Sequence, residues 1–131
     1  VATAMWDNTG GNELNEVLWD AAASLGFDAP RDRDTPGSYG SAEELVTLWA
    51  SAGLINIEAQ NIAFQCGFES FDDFRQPLTE GQGPSGTYCR SISEDHPTEL
   101  RARHRKTLTT SGPDGHLMLN AKAWAVRGIV P

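Results

Sequence analysis

The chain has 131 residues, 39% of them hydrophobic, and 10 Lys and Arg against 18 Asp and Glu give it a formal net charge of -8. That length fits a single domain, residues 1–131, with one modest core. The acidic balance argues against a general binder of nucleic acid or anionic membrane, because neutralising phosphates needs clustered Lys and Arg. Cys66 and Cys89 stand far apart without a CxxC pair, and no run is apolar over membrane length or patterned as a signal peptide. A reduced, cytoplasmic setting is the expectation.

The chain opens on Val1-Ala2-Thr3-Ala4-Met5-Trp6, an apolar run that reads as a strand entered without a preceding cap, so a segment upstream is expected to be missing. Asp7 to Gly11 is rich in turn formers. Asn12 is a candidate N-cap, with Leu14, Val17, Leu18, Ala21 and Leu25 at helical spacing behind it and Gly26 as the stop. From Phe27 to Gly40, charges and prolines oppose regular structure. Ser41-Ala42-Glu43-Glu44 is a capping box for a helix with Leu45, Leu48, Trp49 and Ala52 on its apolar face, ended by Gly53.

Leu54 to Cys66 reads as a strand whose apolar positions change from odd (Ile55, Ile57, Ala59) to even (Ile62, Phe64, Cys66). That change of phase requires a bulge or a twist. Ser70 caps a short helix that Pro77 should bend or end. Gly81 to Gly86 is Gly-rich, but no Lys follows at P-loop spacing, so it reads as a plain turn. Ser93 is the expected cap of a further helix bearing Leu100, His104 and Leu108, with Pro97 near its start. Its Arg101, Arg103, Arg105 and Lys106 are an anion site or a contact with an acidic partner or, more simply, a solvated face.

After a Pro113-Asp114-Gly115 turn signal, the stretch to Val130 alternates apolar and polar from Leu117 and then becomes apolar on both faces at Trp124, Ala125 and Val126. A strand buried on both sides belongs between others. The first crossover is long enough to join parallel strands, and the last strand can run between them. The expected fold is α/β, with a three-stranded mixed sheet whose final strand is central and antiparallel, flanked by Val1 to Trp6 and Leu54 to Cys66 and covered by helices.

Several stretches carry a resemblance to a known family. They are Val1 to Asp7 followed by a helix; Ser41-Ala42-Glu43-Glu44-Leu45 with Ala52-Gly53-Leu54; Phe71, Asp73 and Phe74 with Gln76-Pro77; Gly81-Gln82-Gly83-Pro84; and Ala121 to Gly128. Together they resemble the C-terminal half of a class I S-adenosylmethionine-dependent methyltransferase, over nearly the whole chain. Arg75 departs from the pattern, standing where close relatives carry Trp. The resemblance implies a partial Rossmann-like methyltransferase fold in which the seventh strand runs antiparallel between the fifth and sixth.

That family holds its cofactor with a Gly-rich turn after the first strand and an acidic residue after the second, and neither is found here. The resemblance therefore implies a substrate-side half. S-adenosylmethionine is expected to bind only with a complementing N-terminal half, and no cofactor is expected on this chain alone. Methyl transfer depends on aligning nucleophile and sulfonium, so the chain is expected to be inactive by itself. The alternative is a stand-alone small binding or dimerisation module without enzymatic activity.

Ligands of open α/β sheets collect at the carboxyl ends of strands, which makes Trp6, Asp7 and Asn8 candidates for substrate binding, with Tyr39 and Gln82 on loops that could close over them. The plainer alternatives are a core or interface role for Trp6, turn formation for Asp7 and Asn8, packing for Tyr39 and solvation for Gln82. His96, His104, His116 and Cys89 lack partners at catalytic or metal-ligand spacing and are expected to be structural. The outer edge of Val1 to Trp6 is expected to pair with a second copy or a complementing chain. A small-molecule ligand is compatible with the pattern; nucleic acid and membrane are not.

Overall fold

The computed structural model describes residues 1–29, 38–96, 98–108 and 115–131, with Ser93 by its backbone alone. The expectations on Pro30, Pro36, Pro97, Pro113 and Asp114 lie outside the described residues. In chain order the elements are β1 (Ala2–Trp6), α1 (Glu13–Ser24), α2 (Ala42–Ser51), β2 (Ile55–Phe68), α3 (Phe71–Thr79), α4 (Gly83–Asp95), α5 (Glu99–Thr107) and β3 (Leu117–Ile129). Among the described residues no helix is long and apolar enough to cross a membrane.

The strands form one three-stranded sheet in the order β1-β3-β2. The last strand is central, as expected. The expectation of a mixed sheet is corrected: β1 and β2 point the same way, but β3 lies between them, so both ladders are antiparallel. Contacts divide the chain into two compact units, Val1–Asn12, Arg31–Phe64 and Asn120–Pro131 in the first and Glu13–Pro30 and Gln65–Leu119 in the second.

In the first unit Ala2, Ala4 and Trp6 lie opposite Arg127, Ala125 and Ala123. The Gly128 N–H donates to the Val1 carbonyl at 3.0 Å and the Asp7 N–H to the Lys122 carbonyl at 2.8 Å, extending the same register at both ends. α2 starts as the sequence predicts, with the Ser41 hydroxyl accepting from the Glu44 N–H at 3.2 Å. It stops at Gly53, whose φ of 87° lets the Leu54 N–H return to the Trp49 carbonyl. A Cβ on Gly128 would lie 3.2 Å from both Leu54 Cδ2 and Trp49 Cε3, so this glycine lets the end of α2 settle on β3.

β3 is not buried on both sides, contrary to its apolar run. Its buried residues are Leu117, Leu119 and Ala121, then Val126 and Gly128, while Trp124 and Ala125 are half-buried. Leu117 and Leu119 join a core of the second unit, and Gly128 meets α2 in the first. β2 shows its change of phase without a bulge between these points: Ile57 sits beside Gly128, Glu58 bonds Arg127, and Gly67 sits beside Met118, all at one offset. Twist, not an inserted residue, carries the strand from one side to the other.

In the second unit α1 packs on α5 and α3 on α4. One core gathers Leu18, Trp19, Ala21 and Ala22 of α1 with Leu78, Cys89 and Leu100; the other gathers Phe71, Phe74, Leu108, Leu117 and Leu119. Pro77 lies in the last turn of α3, which runs two residues further to Thr79. Two expectations are corrected here. Gly83 to Gly86 is not a turn but the first turn of α4, with Pro84 supplying the preset φ of an N-terminal position. Position 93 lies in the last turn of that helix, and α5 begins only at Glu99.

Two glycines of that stretch, Gly81 and Gly86, sit in close contact. A Cβ on Gly86 would fall 2.7 Å from the Gly81 carbonyl carbon, in backbone that cannot step aside. Gly86→Ala should therefore lower the thermal midpoint by the equivalent of about 1–3 kcal/mol, although Ala is the better helix former by about 1 kcal/mol. A midpoint that rises in a melting curve would show that α3 and α4 do not meet this way.

Candidate functional site

Asp7 ends β1 and is fully buried, a cost that only pairing can offset. Its backbone already faces Lys122 across the ladder, and residues opposite one another point to the same side, so the Lys122 ammonium reaches Asp7 Oδ2 at 2.7 Å. Asp7 Oδ1 accepts from the Thr9 N–H at 2.8 Å and from the Thr9 hydroxyl. Burial alone would raise the carboxyl pKa, but the hydrogen bonds from Lys122 and Thr9 outweigh it and hold the group below the usual range. A Cβ on Gly11 would lie 2.7 Å from Lys122 Cδ, so that glycine makes room for the lysine stem. Lys122 Nζ also sits 5.0 Å from the Trp124 ring centre.

Three of the other predicted residues gather in the same unit. Trp6 stands half-exposed beside Phe64, ring centres 6.1 Å apart. The Asn8 N–H donates to the Gly40 carbonyl at 3.1 Å, and a Cβ on Gly40 would fall 2.5 Å from Asn8 Cβ. Tyr39, just before it, holds a left-handed φ of 53°, a conformation that bulky residues rarely adopt. Tyr39 and Leu48 line a groove of about 320 Å³ with Glu43, Glu44 and Thr47, so Leu48 is not the core residue its spacing suggests. Gln82 belongs to the second unit, where it is the N-cap residue of α4 without a side-chain cap bond.

Chemically, Asp7 is an orienting anion: its lowered pKa makes it a poor proton acceptor near neutrality, and its charge is matched by Lys122. The buried polar atoms left without partners in this unit are Asn12 Oδ1 and Trp124 Nε1 among the described residues. No group of three His, Cys, Asp or Glu among the described residues could hold a metal. Lys122, Trp124 and Gly11 were not among the predicted site residues. The available signal was a lysine flanked by Ala121 and Ala123 in a largely apolar strand, which needs an anion when half-buried.

The second unit holds a buried polar pair of another kind. Arg75, standing where the family resemblance expects Trp, is buried and donates from Nη1 to His104 Nδ1 at 3.1 Å. That bond places the His104 proton on Nε2, which has no partner, between the edges of Phe71 and Phe74. Burial first and the Arg75 charge second push the imidazole pKa down to about 3. His104 is thus held neutral as a core residue. Among the basic residues of α5, Arg101 pairs with Asp72, and both Arg101 and Arg105 lie over the Phe71 ring.

Two outcomes follow. Lys122→Met, which strands a buried anion, should cost roughly 2–4 kcal/mol in urea unfolding, and Asp7→Asn less, because Lys122 is a third exposed and can turn to water. For His104 the unfolded imidazole binds a proton below about pH 6.5 and the folded one only near pH 3. Stability is therefore full above 6.5 and falls through this window by up to about 1.4 kcal/mol per pH unit. In His104→Leu the urea midpoint should lose that slope between pH 6.5 and 4.5; an unchanged slope would mean that His104 is protonated in the fold.

The chain matches no protein-family model and no curated protein.

Proposed function

We propose that this chain is the substrate-side half of an S-adenosylmethionine-dependent methyltransferase, inactive alone and completed by a cofactor-binding half along β1. The observation that carries the reading is the sheet order β1-β3-β2 with the last strand antiparallel in the middle, the arrangement implied by the sequence resemblance for the end of that fold. Two further features support it. The outer edge of β1 is unpaired within the sheet, and Trp6 stands half-exposed at its end, which suits strand addition by a complementing chain or a second copy. The buried Asp7–Lys122 pair, Asn8 and Tyr39 gather at the carboxyl end of β1, where an acceptor molecule would be held.

In this reading S-adenosylmethionine supplies the methyl group from the other half, and this chain orients the nucleophile. Its two free cysteines suit a reducing cytoplasm. A stand-alone binding module is the second reading, favoured by the second unit's two cores, each closed by that unit's own residues.

Titration calorimetry separates these readings. S-adenosylmethionine should give no binding heat with this chain alone and clear binding after co-expression with a half carrying the Gly-rich turn and acidic ribose ligand. Binding by the chain alone would overturn the proposed division of the site. No binding in either case would favour the module.

A further inference from the structure

β2 is the other outer strand of the sheet, and it is long: 14 residues from Ile55 to Phe68. Asn56 near its start holds a left-handed φ of 50°, and from Ile57 on, at about 3.4 Å per residue, the free edge extends roughly 41 Å, about twice that of an ordinary strand. From Glu58 to Gln65 every residue is exposed, on both faces. Outer strands normally carry a Lys, a Pro, a bulge or an unpaired charge that keeps other strands away. β2 contains no Pro, Lys or Arg. Its single charge, Glu58, is taken by Arg127 of the adjacent strand, through Nε at 3.1 Å and Nη2 at 2.7 Å. What remains on the edge is Gln60, Asn61, Ile62 and Phe64, with Ile62 44% and Phe64 42% exposed.

We infer that β2 pairs antiparallel with β2 of a second copy of this chain, making a continuous six-stranded sheet. The occupant follows from the charge and the length. The net charge of -8 sets copies against one another elsewhere, but this strand is neutral once Glu58 is paired, so identical strands meet without like charges. A two-fold axis perpendicular to the sheet brings residues of equal parity opposite each other, which keeps Ile62 and Phe64 of both copies on one face and lets the amides of Gln60 and Asn61 bond across. A ladder of this length with its flanking side chains buries on the order of 600–800 Å² per partner, the lower range of specific interfaces. β1, with five residues, offers far less. The inference does not rest on the methyltransferase reading, and it leaves the β1 edge open.

The test is sedimentation velocity on the full chain over a wide concentration range, with far-UV circular dichroism to confirm folding. The chain should be dimeric. Ile62→Lys and Asn61→Lys, which bring like charges together from either face, should each weaken self-association at least tenfold, while Ala4→Lys on β1 should not. A monomer at the highest concentration, a folded Ile62→Lys or Asn61→Lys variant that still dimerises fully, or a dimer dissociated by Ala4→Lys would each overturn it. Cofactor titration is unaffected by the two β2 variants in either outcome, so the two proposals fail separately.

Discussion

The structure depends on the backbone pairing of β3, the last strand, with β1 on one side and β2 on the other. A strand made last and placed centrally requires partners laid down earlier in the chain, so the sheet closes only once the C-terminal residues arrive. Its register also sets the chemistry at the end of β1. Asp7 and Lys122 are opposite residues of that ladder, which is why a buried carboxylate finds its ammonium 2.7 Å away without help from a loop. Thr9 and Gly11 then complete the arrangement, one by donating, the other by leaving space.

The two buried polar pairs follow opposite electrostatic logic. Asp7 keeps its charge because a cation and two donors outweigh desolvation. His104 gives its charge up because desolvation and the neighbouring Arg75 both disfavour imidazolium. Each arrangement is stable near neutrality and weakens in acid, the first as the carboxylate is neutralised and the second as the unfolded imidazole gains a proton. An exposed pair such as Arg101 with Asp72 adds little beside them, since solvent screens it.

The candidate site was legible only in part. Trp6, Asp7 and Asn8 could be located from strand periodicity and turn chemistry, because both are local. Tyr39 could be named, but the contact of its neighbour Gly40 with Asn8 depends on how a distant loop returns to β1. Lys122 went unnoticed as a site residue because its meaning lies in the residue across the ladder, more than a hundred positions earlier in the chain. The Gly-rich stretch misled in the other direction: it reads as a plain turn in sequence, whereas Gly83 opens α4 and Gly86 lies against the Gly81 backbone.

By itself the sequence determined the three strands and α1 to α3 with most of their ends, but not α4. Ser41 and Ser70 cap their helices as read, Gly26 and Gly53 stop theirs, and the C-terminal strand is central, as expected. These are properties of a few consecutive residues and their backbone preferences. Only the tertiary structure decided that β3 changes its buried side along its length, that β2 twists without a bulge between Ile57 and Gly67, and that Arg75 and His104 share a core. Each of these depends on which surface covers which face, and that is set by elements remote in the chain, not by the strand or helix that carries the residue.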